Sequence, residues 1–188
     1  MGKDKFHQLG QLLEIKDSEL DLMLSWRNAP SVRANMYTRH EISSSEHKSW
    51  WSRVKDASDQ IYLMYEFRGE PLGIVAFNQI DSLSKNSSWA FYASPDAQKG
   101  IGTRMEFLAL EYSFEDLGLH KLYCEVLEFN ESVINLHKKF GFKIEGILRE
   151  HHFYEDRYLD IYRLALLASE WESLREPMFA RLSRLIPH

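Results

Sequence analysis

Two glycines, Gly100 and Gly102, lie where a loop turns into a helix, in the stretch Ser94-Pro-Asp-Ala-Gln-Lys-Gly-Ile-Gly-Thr-Arg-Met-Glu-Phe107. Glycine lets the backbone approach a ligand closely, and the first turn of a helix carries N–H groups with no intrahelical acceptor. With the positive end of the helix dipole, those donors suit a phosphate. A lone Gly-x-Gly equally marks an ordinary tight turn, so the rest of the chain has to decide. The single cysteine, Cys124, sits in the alternating run Lys121-Leu-Tyr-Cys-Glu-Val126. It reads as a buried strand thiol rather than a nucleophile, and one cysteine excludes an internal disulfide and fits a reducing compartment. His7, His40, His151 and His152 lack ligand spacing with carboxylates or thiols, so no metal is expected.

The elements that must position this loop follow from hydrophobic period. Gly10 to Lys16 reads as a strand; Asp17 or Ser18 caps a helix through Trp26 that ends at Arg27-Asn28; Pro30 opens a second short helix reaching Met36-Tyr37. Serines 43 to 45 cap a third helix bearing His47, Trp50, Trp51 and Val54. The period then changes to that of strands over Ile61 to Phe67, Leu72 to Ile80 and Ser88 to Ala93, an antiparallel meander turning at Arg68-Gly69-Glu70-Pro71 and at 81–87. The glycine-loop helix runs to about Leu117-Gly118 and leads to a strand over His120 to Leu127, parallel to the one ending at Ala93. Asn130 caps a helix closed by Gly141; Phe142 to His152 and Tyr158 to Leu166 form a hairpin; a helical tail is broken or kinked at Pro177.

At 188 residues and 44% hydrophobic, the chain fits one domain over 1–188, with a core at 9–168 and a C-terminal helical tail at 169–188. A net charge of -5 speaks against sequence-independent nucleic-acid binding. No apolar run is long enough to cross a membrane and the first residues have no apolar signal core, so a soluble cytoplasmic protein with a small-molecule substrate is expected. The apolar stripe of the tail would serve a homodimer as well as a core. Where strand pairing switches from antiparallel to parallel, neighbouring strands can part and open a crevice. That puts the expected site between Phe91-Tyr92 and Glu125-Val126.

Ala97-Gln98-Lys99-Gly100-Ile101-Gly102 resembles the acyl-CoA loop of the Gcn5-related N-acetyltransferases, Arg/Gln-x-x-Gly-x-Gly/Ala. Asn130-Glu-Ser-Val-Ile-Asn135-Leu-His137-Lys-Lys139-Phe-Gly-Phe142 is similar to that family's Asn-x-x-Ala-x-x-Leu-Tyr-x-Lys-x-Gly-Phe. The resemblance implies an α+β (mixed α/β) fold with a central mixed seven-stranded sheet splayed between strands 4 and 5, and acetyl-CoA as co-substrate without a metal. It implies donor contacts at Phe91, Tyr92, Ala93, Ala97, Gln98, Lys99, Gly100, Ile101, Gly102, Thr103, Asn130, Asn135 and Lys139. Lys99, Arg104, Lys138 and Lys139 are available to CoA phosphates. Ala97 departs from the family's Arg or Gln, leaving more to backbone donors, and His137 stands where many members have a Tyr general acid.

Transfer from a thioester needs an acceptor for the amine proton, polarisation of the carbonyl, and neutralisation of the leaving thiolate. Glu125 is the base candidate, or else a solvated strand charge; amides around Phe91 to Ala93 polarise the carbonyl; His137 is the acid candidate, or else packs over the cofactor. No acyl-enzyme is expected. Leu24-Ser-Trp26-Arg27-Asn28, Val32-Arg33, Met36, His47 and Trp50-Trp51 are similar to the subgroup acetylating the 4-amino group of a UDP-linked 4-amino-4,6-dideoxy sugar in pseudaminic acid synthesis, on the route to flagellin glycans. That likeness implies acceptor contacts at Arg27, Asn28, Met36, Tyr37, His47, Trp50, Asn78, Gln79 and Tyr92. Acetylation of a protein N-terminus or a polyamine, and a non-catalytic CoA-binding module, are the alternatives.

Overall fold

The computed structural model describes residues 4–186. Seven strands form one sheet in the order β1-β2-β3-β4-β5-β7-β6: β1 Gln11–Glu14, β2 Gln60–Phe67, β3 Glu70–Asp81, β4 Asn86–Ala93, β5 Lys121–Leu127, β6 Lys143–Tyr154 and β7 Arg157–Leu167. All neighbours are antiparallel except β4 and β5, as the crossover helix between them requires. Helices α1 Leu20–Asn28, α2 Pro30–Arg33 and α3 Ser44–Val54 precede β2; α4 Ile101–Glu111 joins β4 to β5; α5 Glu131–Lys139 precedes β6; and α6 Ala168–Ser183 follows β7.

Two hairpins turn on two residues each, and both pairs take positive φ: Arg68 and Gly69 between Phe67 and Glu70, Glu155 and Asp156 between Tyr154 and Arg157. That conformation matches the right-handed twist of the flanking strands. Glu70 and Pro71 therefore belong to β3 rather than to the turn, and a bulge after Tyr65 accommodates the proline.

Alternate residues of the meander face opposite layers. Tyr65, Val75 and Phe77 join the core beneath α4, whereas Met64 and Ile74 pack against Met23 and Trp26 of α1. Helix α4 is buried from Arg104 to Glu111 on all sides and continues through a π-helical turn over Tyr112–Asp116, so the helical path extends as far as its sequence suggests. It sits directly on β3: a Cβ at Gly73 would lie 2.5 Å from Met105 Cε and 2.8 Å from the Tyr92 carbonyl.

Several expected ends differ. Neither Asp17 nor Ser18 caps α1; a 3-10 turn over Asp17–Glu19 intervenes, and Asp17 instead accepts a hydrogen bond from Trp51 Nε1 at 2.8 Å. Helix α2 stops at Arg33, with turns at Asn35 and Met36. Helix α6 runs unbroken through Pro177, held by Trp171, which is 1% exposed and donates to Glu111 at 2.9 Å. Ser43 does cap α3, accepting from the Glu46 amide at 3.2 Å, and Gly141, at φ 93°, closes α5.

Candidate active site

Strands β4 and β5 pair over three residues only, Asn86–Ser88 against Lys121–Tyr123. Beyond them β4 stays bonded to β3 as far as Ala93 and β5 to β7 as far as Leu127, so the strands diverge, each with one partner. The gap is a cleft of about 370 Å³, whose walls include Met36, Tyr37, Phe91, Tyr92, Ala93, Glu125, Val126, Asn130 and His137. It opens where the change in strand direction predicts. Trp89 stacks on Phe91 at 5.4 Å and His137 meets Trp89 edge-on at 5.3 Å, flooring the helix side with rings. The opposite rim is the loop after α2, tied to the β6–β7 hairpin by Tyr37 against His152 and by Arg39, which pairs with Glu155 at 3.0 Å.

The glycine loop leads from the open end of β4 into α4. Gly100 is the N-cap at φ 95° with open space around a Cβ, and a Cβ on Gly102 would touch Phe91 of the cleft wall at 3.4 Å. Ile101 donates to the Gln98 carbonyl and Arg104 to that of Gly100, but the amides of Gly102 and Thr103 donate to no backbone carbonyl and no side chain caps the helix. Uncommitted amides with room beside them fit a diphosphate. Gln98 and Lys99 are exposed, Ala97 half-buried, and Ile101, 5% exposed, anchors the turn in the core. Arg104 is not available to a phosphate: its guanidinium lies 4.4 Å over the Phe67 ring on the buried side of α4.

At the floor, His137 is 3% exposed and Glu106 fully buried, with His137 Nδ1 2.8 Å from Glu106 Oε1. Burial works against a charged imidazole, but the Glu106 carboxylate and the Cys124 side chain outweigh it and push the His137 pKa up to about 10. Burial also pushes the Glu106 carboxyl up, against the opposing pull of His137. Both shifts are upward, so through the neutral range the pair as a unit keeps one proton more than a neutral imidazole beside an ionised carboxylate would hold.

Across the cleft, the Glu125 side chain is 31% exposed; it accepts from the Tyr37 hydroxyl at 3.3 Å and faces Arg163 at 3.6 Å. Burial first, then Glu125, pushes the Tyr37 phenol up, so Tyr37 remains a donor. Tyr92 also lines the cleft; its hydroxyl is buried with no partner. Arg27 acts electrostatically on Tyr92, and of its two terminal nitrogens Nη2 donates to the Thr38 carbonyl at 3.0 Å while Nη1 is buried without a partner. His47, 4% exposed, stacks on Trp50 behind this pair, and burial lowers its pKa.

Matching this geometry, a family model described as an acetyltransferase (GNAT) domain covers residues 12–162. The chain belongs to the GNAT acetyltransferase family. Acetyltransferase PseH of Campylobacter jejuni is 25% identical over 168 residues, 89% of this chain and 98% of that protein. Spermidine N(1)-acetyltransferase of Escherichia coli K12 is 31% identical over 119 residues; the match spans 63% of each chain, just under two thirds of the relative's length. Spermidine N-acetyltransferase of Vibrio cholerae, in complex with CoA and spermine, superposes with a TM-score of 0.81 over 86% of this chain and 97% of its own, at 24% identity, a likeness of fold.

Within the GNAT frame, several expected contacts fall elsewhere. Asn28 is spent on structure, donating to the Ile42 carbonyl at 2.8 Å and accepting from the Ile42 amide at 2.9 Å. Asn78 and Gln79 lie at the zipped end of the sheet, because β3 runs antiparallel to β4 and its carboxyl end meets the start of β4. Asn78 accepts there from Tyr62 and Gln79 from Tyr123. Arg27, His47 and Trp50 form a layer behind Tyr92 rather than the cleft wall. Asn135 and Lys139 are exposed on α5, outside the wall. Asn130 occupies the N-cap of α5 without a side-chain cap; its Oδ1 accepts from Ser132, leaving its amide free toward the cleft.

Sequence reasoning missed Glu106 and the place of Cys124 in the cleft wall. Glu106 was visible as a carboxylate inside the apolar run Met105-Glu-Phe-Leu-Ala-Leu110, where a solvated face has no room. Among the described residues, no cluster of three or more His, Cys, Asp or Glu is placed to hold a metal, and no helix is long and apolar enough to cross a membrane.

Proposed function

We propose that the protein transfers the acetyl group of acetyl-CoA directly to the 4-amino group of a UDP-linked 4-amino-4,6-dideoxy sugar. The observation that carries this reading is the cleft through the sheet, with the anion loop and a proton-holding imidazole on one face and buried, unpartnered donors on the other. The Gly102 and Thr103 amides would hold the diphosphate of CoA and Asn130 its pantetheine arm; the thioester supplies an activated acetyl group. Strand amides of Phe91 to Ala93 would polarise the carbonyl, because β4 has no partner on that side. Glu125 would accept the amine proton and His137 would protonate the departing thiolate. Holding both substrates side by side contributes on the order of 7 to 11 kcal/mol of the barrier reduction.

The choice of acceptor rests on charge. Among the described residues Glu125 is the only carboxylate in the cleft wall, it already faces Arg163, and behind Tyr92 stands Arg27 with a free nitrogen. A diphosphate is favoured by such surroundings and a polycation is not. The likeness to PseH over 89% of this chain supports a step toward pseudaminic acid. The spermidine acetyltransferase relatives favour a polyamine as the second reading.

The test is thiol release from acetyl-CoA across UDP-linked 4-amino sugars, spermidine and N-terminal peptides. Turnover of the sugar nucleotide at the highest kcat/KM is expected. Turnover of spermidine alone would replace the proposal, and CoA binding without thiol release for any amine would make the protein a binding module.

A further inference from the structure

We propose that Glu106 is a positioning residue that fixes His137 as the acid of this site. The proposal rests on acetyl-CoA being the donor. Glu106 lies on α4, the helix that begins at the glycine loop, and its carboxylate enters the space between α4 and α5 with one oxygen on His137 Nδ1 and the other, Oε2, buried with no partner. A buried carboxylate with one partner depends on it heavily. The dependence runs both ways, because Nδ1 is occupied and Nε2 is the only imidazole nitrogen left for the cleft.

The groups around His137 support this division. From β4 it meets the rings of Trp89 and Phe91 and, from the start of β6, that of Phe142. None of these titrates. The titratable neighbours are Glu106 from α4 and Cys124 from β5, whose side chain also favours the charged imidazole. Lys138 and Lys139 of α5 itself point outward. One shared proton between Nδ1 and Oε1 leaves the Nε2–H bond intact in the resting pair.

The proton transfer balances within these atoms. The Nε2–H bond breaks, its electron pair stays on nitrogen, and an S–H bond forms on the departing thiolate. The remaining imidazole keeps its proton on Nδ1, donated to the Glu106 carboxylate. Solvent reloads Nε2 once the thiol has left. A phenol in the same position needs no such support. An imidazole can carry its proton on either nitrogen, and so the cleft-facing one has to be specified.

The test begins without substitution. In the wild-type protein the His137 ring, followed by NMR on labelled histidine, should not titrate through the neutral range; titration near 6.5, its ordinary value, overturns the proposal. In Glu106→Gln, which keeps shape and removes the charge, His137 should titrate near or below 6.5, and kcat for thiol release should fall by about 10²-fold, most steeply above neutral pH. KM for acetyl-CoA should stay within about twofold. A merely structural role would lower activity without moving the pH profile; an unchanged kcat and profile in Glu106→Gln would also overturn the proposal. CoA binding by calorimetry separates the two levels: a wild-type protein that binds no CoA defeats the donor assignment, while the histidine titration still judges the pair.

Discussion

On the α4–α5 face of the sheet, His137 Nδ1 and Glu106 Oε1 are joined at 2.8 Å, which leaves only the second carboxylate oxygen without a partner, whereas on the α1–α3 face Arg27 Nη1 and the Tyr92 hydroxyl are buried with nothing to accept from them. Tyr92 and His137 line the same opening between β4 and β5, with Arg27 and Glu106 standing behind them. The first pair has its imidazole already joined to a carboxylate before any ligand arrives, which suits a proton donor whose charge state must not depend on what is bound. The second is incomplete, and an unsatisfied buried donor costs about 1–3 kcal/mol. An acceptor oxygen from a bound molecule removes that cost. A preorganised acid opposite an expectant donor pair is the arrangement expected when chemistry is fixed and selectivity comes from the acceptor.

The largest way to break this contrast is Arg27→Ala. A hydrogen bond to a charged group contributes about 1.5–3 kcal/mol, so kcat/KM for the sugar nucleotide should fall by about 10- to 10²-fold, with spermidine turnover, if any, unaffected. Equal losses for both acceptors would mean that Arg27 only packs. On the other face, the unfolded imidazole of His137 gives up its proton near 6.5 while the folded pair holds it to about 10. Its stabilisation is complete below 6.5 and disappears as pH rises toward 10, so melting temperature should decline across that interval, and less so in His137→Phe. A wild-type melting curve that is flat over that range would contradict the paired state. Smallest is Tyr92→Phe: about threefold to tenfold in acceptor KM, with a melting temperature unchanged or raised because a buried hydroxyl without a partner has been removed. A clear drop in melting temperature would show that Tyr92 is satisfied in the resting protein.

The same contrast marks what was legible in the sequence. Local chemistry carried the donor side: Gly100 and Gly102 at a strand-to-helix junction, Asn130 opening α5 and Gly141 closing it occupy the expected places. The switch from antiparallel to parallel pairing located the opening from element order alone. The acceptor side depends on how distant segments meet. Asn78 and Gln79 read as cleft residues because they end a central strand, yet strand direction carries them to the closed end of the sheet. Asn28 reads as a polar contact because its engagement with Ile42, fourteen residues on, leaves no local trace. Glu106 escaped for a related reason: its meaning comes from His137, which another helix brings to it.

Gly73 shows how deep that dependence goes. With Met105 pressed against the bare backbone there, the height of the anion loop above the sheet is set from below, by a residue with no part in the chemistry. Redesign for bulkier acyl donors can vary the residues around the opening freely but has to leave position 73 alone, and selection for new activity should return glycine there every time.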